Sequence, residues 1–248
     1  MMDFGAYSVT PILFGDIALD GGAMFGVIPR KLWSLPFPPD SQNRVGLVMR
    51  GLLLQGEGRV ILVDAGAGTR WSDREREALG LRTVPMAEAL RAGGVSPEDV
   101  TDVIITHLHF DHAGGLWLRG KGDALVPQFP HATLHVGSEN LAWGQSPSRR
   151  ERASYRREEV DALCAWPRLR HVLPGAEILP GIGSIASSGH SPGLQLPVIR
   201  GEGRRLIYPA DVVPTHAHIR ETWGMSFDVN PLLLLEEKRA LFAPHESE

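Results

Sequence analysis

An α/β layered fold is the class this sequence predicts, and three observations carry it. Short apolar runs end in polar loops, stretches with helical spacing alternate with those runs, and 28 glycines and 19 prolines punctuate the chain. Together Gly and Pro exceed the roughly 12% of average usage. That excess implies many turns and shaped loops, not disorder, because apolar runs recur throughout. With 248 residues, 43% of them hydrophobic and 22% charged, one domain spanning 1–248 with a sizeable core is expected.

The elements follow in order. "VGLVMRGLLLQGEGRVILVDAG" (45–66) reads as two apolar strands around the turn Gly56-Glu57-Gly58. "VPMAEALRAGGV" (84–95) places apolar residues at helical spacing before a glycine stop. In "SPEDV", Ser96 is a helix N-cap with Pro97 at the first helical position. "DVIITH" is a β-branched strand, "ATLHV" (132–136) another, and "RASYRREEVDALCAW" a helix. "GIGSIASSGH" carries a strand into a loop at His190, and "RRLIYPAD" is a strand delivering Asp211. The stretch 138–170 lacks alternating strands and is expected to be a helical insertion.

Bulk charge excludes some partners. A net charge of -4 and a pI near 6.2 give no global attraction for phosphate backbones, so no nucleic-acid partner is expected. The local run "RRERASYRRE" (149–158) interleaves Arg149, Arg150, Arg152, Arg156 and Arg157 with Glu151 and Glu158, and reads as a solvated helix face. Cys164 is the single cysteine, so neither an intrachain disulfide nor a thiolate cluster can form. The start "MMDFGAYSVT" lacks a basic segment followed by an apolar one, and no run approaches the roughly 18 apolar residues of a membrane span. A cytoplasmic protein without a membrane partner is the expectation. Self-association as a homodimer is left open.

The densest chemistry lies in "THLHFDH" (106–112), where His107, His109, Asp111 and His112 interleave with Leu108 and Phe110. On a strand, His107, His109 and Asp111 point to one side and Leu108 and Phe110 to the other; a turn lets His112 join the polar side. Neutral imidazole with carboxylate suits zinc, and also manganese or iron. A lone histidine is more often a satisfied core residue, and His131, His135 and His171 are assigned no role on that ground.

"HLHFDH" followed by "AGGL" resembles the His-x-His-x-Asp-His motif of the metallo-β-lactamase superfamily. The resemblance extends to "ILVDAG" (ending Asp64–Gly66), "SSGHSPG" around His190 and "YPAD" at Asp211, in family order. It implies a four-layer αβ/βα sandwich with a metal site at one sheet edge. Carried over by motif, His107, His109 and His190 would bind one divalent ion, Asp111 and His112 a second, and Asp211 would bridge the two. "LFAPHES" offers His245 as the last ligand of the second ion. In an ungapped reading His245 falls inside a helix and that ligand lies beyond residue 248. His216 and His218 are the fallback, with a supporting or substrate-facing role expected for them.

Two ions sharing a bridging oxygen make hydroxide available near neutral pH and polarise a substrate carbonyl or phosphoryl oxygen. Asp111 would shuttle the proton to the leaving group. The implied activity is a metallo-hydrolase of lactones or other ester-like small molecules, with zinc the expected metal and manganese or iron the alternatives. "DGGAMFGVIPRKLW" (20–33) most resembles the branch of acyl-homoserine-lactone lactonases and organophosphate hydrolases, where Met24, Phe25 and Trp33, with His218, would line an apolar pocket. Core packing is the competing reading for these apolar residues. Two departures bear on the substrate: Pro214 and Thr215 stand where some lactonases have a tyrosine, and Leu194 follows "SPG" where a second histidine is usual. A mononuclear iron dioxygenase of the same fold and a non-enzymic, metal-stapled binding protein are the alternatives.

Overall fold

Alternating burial fixes the central sheet. A computed structural model describes residues 1–243. The chain begins with β1 (Met2–Phe4) and β2 (Tyr7–Asp20), then two short helices, α1 (Gly21–Phe25) and α2 (Arg30–Trp33). The expected hairpin follows as β3 (Arg44–Gly56) and β4 (Arg59–Val63). Its turn residues Glu57 and Gly58 have φ of 50° and 69°, the left-handed pair that matches strand twist. Next come α3 (Asp73–Ala78), β5 (Arg82–Thr83), α4 (Met86–Ala89) and β6 (Asp102–Ile105). The helix expected over 84–95 is thus short, continuing only as a 3₁₀ turn over Leu90–Gly93. Ser96 and Asp99 close a capping box on a second single turn, Pro97–Asp99.

Beyond β6 lie α5 (Phe110–Ala113), the small β7 (Trp117–Arg119) and β8 (Leu125–Pro127) pair, and β9 (Thr133–Gly137). The stretch read as helical holds α6 (Ser138–Gln145) and α7 (Arg157–Cys164) and ends as β10 (Leu169–Val172) begins. The run 149–158 is a solvated helix face only at its end, where Arg157 and Glu158 are exposed on α7; before that Glu151 is buried, Arg150 donates to the carbonyls of Ser226 and Asp228, and Arg156 stacks 4.0 Å over Trp71. A second sheet comprises β11 (Glu177–Leu179), β12 (Ile182–Ser187), β13 (Leu194–Gly201) and β14 (Arg204–Ile207), before the closing α8 (Pro231–Phe242).

The first sheet runs β1-β2-β3-β4-β6-β9-β10, antiparallel up to β4 and parallel from β4 onward, with β5 on β2. Its strands send alternate residues to opposite faces. Leu52, Leu54, Ile61, Val63 and Ile104 meet Leu179, Ile182 and Ile199 of the second sheet. Leu53, Leu62, Val103 and Ile105 face the other way, onto Leu90, Leu141, Val160 and Leu163 of the helical side. Leu194 and Leu196 of the second sheet pack with Leu234 of α8. Helices, sheet, sheet and helix make the predicted four layers. Burial on both faces explains why "VILV" and "VII" read as continuous apolar runs.

His135, on β9, is buried with its Nε2 2.8 Å from Asp102, whose other oxygen accepts from Arg59 at 2.9 Å. It is a satisfied core histidine. Among the described residues no helix is long and apolar enough to cross a membrane.

Candidate metal centre

The centre forms at the carboxyl ends of β4, β6, β12 and β14, where the loops of the two sheets meet. Open α/β sheets gather ligands in this position. The register of β6 ends at Ile105. There Asp64, just past β4, takes the backbone N–H of Thr106 at 2.8 Å and its hydroxyl at 3.0 Å. That capture diverts the chain. His107 and His109 therefore sit on a loop and Asp111 and His112 on the helical turn α5, not along the strand that simple alternation suggested. Leu108 is buried beneath them, and Phe110 is half-buried against Trp71, ring centres 5.0 Å apart.

The two loops around the motif lie main chain to main chain. Ala65 N–H donates to the His112 carbonyl at 2.8 Å and Gly115 N–H to Gly66 at 2.8 Å. A Cβ on Gly115 would fall 2.0 Å from the Ala65 carbonyl oxygen, so only glycine permits this approach. On the other sheet, His190 lies between β12 and β13, and Asp211 sits on a 3₁₀ turn after β14. Ala210, immediately before it, has φ of 43°, a strained conformation of the kind that clusters at functional sites.

His107, His109, His190 and Asp211 each bring one ligand atom within 4.8 Å of the others, and Asp111, His112 and Asp211 do the same. Asp211 belongs to both groups: its Oδ2 is 3.4 Å from His190 Nε2 and 4.0 Å from His107 Nε2, while its Oδ1 is 3.2 Å from His112 Nε2. The first group is buried, the three histidines being at most 5% exposed; the second is more open, with the Asp111 side chain 21% exposed.

Hydrogen bonding assigns the tautomers. His109 Nε2 meets Glu151 at 2.7 Å, His112 Nδ1 meets Asp64 at 2.8 Å and His190 Nδ1 meets Asp228 at 3.0 Å. Each carboxylate accepts, so those nitrogens carry hydrogen. Thr106, donating to Asp64, accepts from His107 Nδ1 at 3.1 Å. That turns His107 Nε2, His109 Nδ1 and His190 Nε2 inward, toward one another. His109 Nδ1 faces His107 Nε2 at 3.0 Å and His190 Nε2 at 3.2 Å. Three imidazole nitrogens converging in this way fit a shared cation, and the outward carboxylate partners match the usual support of metal-binding histidines.

Charge points the same way. Burial, with His112, His109 and His190 nearby, holds His107 well below the ordinary histidine range. For His112 burial acts downward, but Asp211, Asp111 and Asp64 overcome it and raise its pKa well above that range. Against burial, His112 and then His190 hold the Asp211 carboxyl well below its ordinary value. Burial also opposes ionisation of Glu151, yet its donors, His109 first, bring it to about 2. The carboxylates around the second group call for positive charge.

The expected pocket wall has a different role in this structure. Met24, Phe25, Trp33 and His218 are at most 3% exposed. Phe25 stacks on Trp33 at 5.2 Å and on His218 at 5.3 Å, while His218 Nε2 is bonded to the Met24 carbonyl at 2.9 Å. Met24, Phe25 and Trp33 pack in one buried cluster with Ala217, Trp223 and Met225, as the core-packing reading expects. His216 is exposed and stacks on Phe37. His245 lies outside the described residues. Glu151 and Asp228 were not anticipated: both are acids remote from the histidines in sequence, and neither stands in a metal-like spacing. Tyr208, three positions before Asp211, also lies near the centre. Burial and the Asp64, Asp211 and Asp111 carboxylates raise its pKa, and its hydroxyl donates to the Arg50 carbonyl at 2.5 Å.

The family model described as "Metallo-beta-lactamase superfamily" matches residues 51–246. An N-acyl homoserine lactonase of Bacillus cereus is 32% identical over 124 residues, 48% of this chain and 40% of that protein. The N-acyl homoserine lactonase AiiB of Agrobacterium fabrum is 27% identical over 184 residues, 68% of this chain and 64% of that one. The chain thus spans less than two thirds of either relative. Among solved structures, a probable metal-dependent hydrolase from Staphylococcus aureus superposes with a TM-score of 0.88 at 27% identity, covering 97% of this chain and 86% of the other. AidC, a dizinc quorum-quenching lactonase, shares the fold at a TM-score of 0.77 and 19% identity, covering 97% and 84%.

Proposed function

Since the chain belongs to the metallo-β-lactamase superfamily, we propose that it is a metal-dependent hydrolase that opens a lactone or cleaves a related ester-like small molecule. One observation carries the reading: Asp211 turns one oxygen to each of two ligand groups, 3.2 Å from His112 and 3.4 Å from His190. A carboxylate so placed serves two cations at once. On this reading His107, His109 and His190 hold one divalent ion, Asp111 and His112 hold another, and Asp211 spans both. The nitrogen and oxygen donors suit zinc first, with manganese or iron as alternatives. When bound, such ions lower the pKa of a shared water and polarise the substrate carbonyl.

The remaining work falls to the chain itself. Asp111, on the open side, is placed to carry a proton to the leaving oxygen. Phe110, next to Asp111 in sequence and half-buried against Trp71, would offer apolar surface for an acyl or aryl substituent. The lactonase names of the two sequence relatives support lactones as the first substrates to try.

The test is elemental analysis of protein purified without chelator, followed by assays on lactones, phosphotriesters and thioesters. Close to two divalent ions per chain and lactone hydrolysis that chelation abolishes are expected, with activity restored by Zn²⁺ or Mn²⁺. One tightly held iron with oxygen uptake would replace this reading with a dioxygenase. Two ions without hydrolysis of any substrate would leave a metal-stapled binding protein.

A further inference from the structure

The segment between β9 and β10 reaches into the metal centre through a single buried carboxylate. Glu151 is 4% exposed. Its Oε1 accepts from His109 Nε2 at 2.7 Å and from the Tyr155 hydroxyl at 3.1 Å, and its Oε2 accepts from Trp143 Nε1 at 2.6 Å. The same segment also holds the His190 loop. The Tyr155 hydroxyl lies 2.8 Å from Ser191 Oγ, and Asn140 Nδ2 donates to Ser191 Oγ at 3.2 Å and to the Pro192 carbonyl at 2.8 Å. Asn140 Oδ1 accepts from Leu108 N–H at 2.8 Å, tying in the His107–His109 loop as well. His112, in the other group, is oriented instead by Asp64.

A buried carboxylate is costly unless positive charge balances it. Among the described residues, the basic group paired with Glu151 is His109 alone. His109 itself is turned with its Nδ1 toward His107 and His190. The negative charge is therefore matched only through the imidazole, by whatever cation that imidazole holds. Accepting from Nε2–H also fixes the ring's tautomer and makes Nδ1 a stronger donor.

Resting on the metal-centre reading above, we propose that Glu151 is a positioning residue acting through His109, and that the segment 138–164 sets the affinity of the buried three-histidine site separately from the open one. In this arrangement Glu151 and its donors act on the first ion alone, whereas Asp64 reaches the second through His112 and the first through Thr106 and His107.

The experiment measures both Zn²⁺ affinities by competition with a chromophoric chelator and records the visible spectrum of the Co²⁺-loaded protein. Wild type is compared with Glu151→Gln, Glu151→Asp and Asp64→Asn. Glu151→Gln preserves shape but removes the charge and turns an amide N–H toward one of the donors. It is expected to weaken one ion by about 10–100-fold and leave the other in place, with a changed Co²⁺ spectrum. Glu151→Asp should recover part of that loss. Asp64→Asn, which loosens His112 directly and His107 through Thr106, is the contrast and should weaken both ions. Should Glu151→Gln not fold, Trp143→Phe removes one donor and keeps the carboxylate, and a smaller loss at the same ion is expected.

Two unchanged affinities in Glu151→Gln, or equal weakening of both with a lowered melting temperature of the metal-free protein, would show a purely structural role and overturn the proposal. A wild-type chain that binds no ion fails at an earlier step, by removing the metal centre itself.

Discussion

Asp64 accepts from His112 Nδ1 at 2.8 Å while its own backbone is held at φ of 60°, a left-handed conformation that few side chains adopt. Three hydrogen-bond donors explain why this strain persists: the same carboxylate takes the backbone N–H and hydroxyl of Thr106. Asp64→Asn keeps the backbone preference, since asparagine tolerates it, but replaces acceptor capacity with a donor. The expected result is a loss of about 1–3 kcal/mol in denaturant unfolding. Asp64→Ala adds a backbone penalty of about 1 kcal/mol or more. Equal stability of Asn variant and wild type would show that the contact is idle.

Asp211 is the group whose loss should be felt on both sides. On the proposed two-ion reading, Asp211→Asn is expected to lower the occupancy of both ions after mild dialysis and to remove most hydrolytic activity. Metal counting and turnover on one active substrate check this together. Full occupancy with retained turnover would take Asp211 out of the centre.

Phe25 is fully buried among Trp33, His218 and Trp223. Phe25→Ala should therefore cost about 3–5 kcal/mol of stability, and any loss of activity should be uniform across acyl-chain lengths. A KM that rises only for long or aryl substrates, with stability intact, would restore Phe25 to the pocket wall.

Lys238 is buried on α8, donating to the carbonyls of Trp223 at 2.6 Å and Arg220 at 3.1 Å. Burial outweighs the attraction of Asp228 and Glu221 and lowers its pKa from 10.5 to about 8. Between those values the unfolded chain binds a proton that the native chain lacks, so stability rises with pH across that interval. Below about pH 8 both states are protonated and the penalty is complete. Denaturant midpoints of wild type and Lys238→Met are therefore expected to shift in favour of wild type between pH 7.5 and 10. A gap that stays constant would mean that Lys238 titrates normally.

Much of the fold could be read from local pattern because the strands buried on both faces are continuous apolar runs, as in "VILV" and "VII". The hairpin turn at Glu57 and Gly58 was equally plain. The grouping of His107, His109, Asp111, His112, His190 and Asp211 was legible because these residues sit in short motifs at loop positions. Their supports were not. Glu151 lies in a run whose arginines and acids have the composition of a solvated helix, and only tertiary packing shows that its carboxylate points inward. Met24, Phe25 and Trp33 could not be placed from sequence for a related reason: an apolar cluster has the same composition whether it lines a cavity or fills a core, and here the three are buried together.

The two histidines His109 and His190 are brought together from positions 81 residues apart, on loops that belong to different sheets. Closing so long a loop is slow and carries an entropic cost that the chain must meet before the donors converge. An ion can be captured in this arrangement only after both sheets have docked. Binding should then add little to the rate of folding and act almost entirely on escape from the folded state. Stopped-flow refolding with and without Zn²⁺ is expected to give similar folding limbs, while unfolding slows with the metal present. On that account a loaded centre would be a latch, setting the lifetime of the native state.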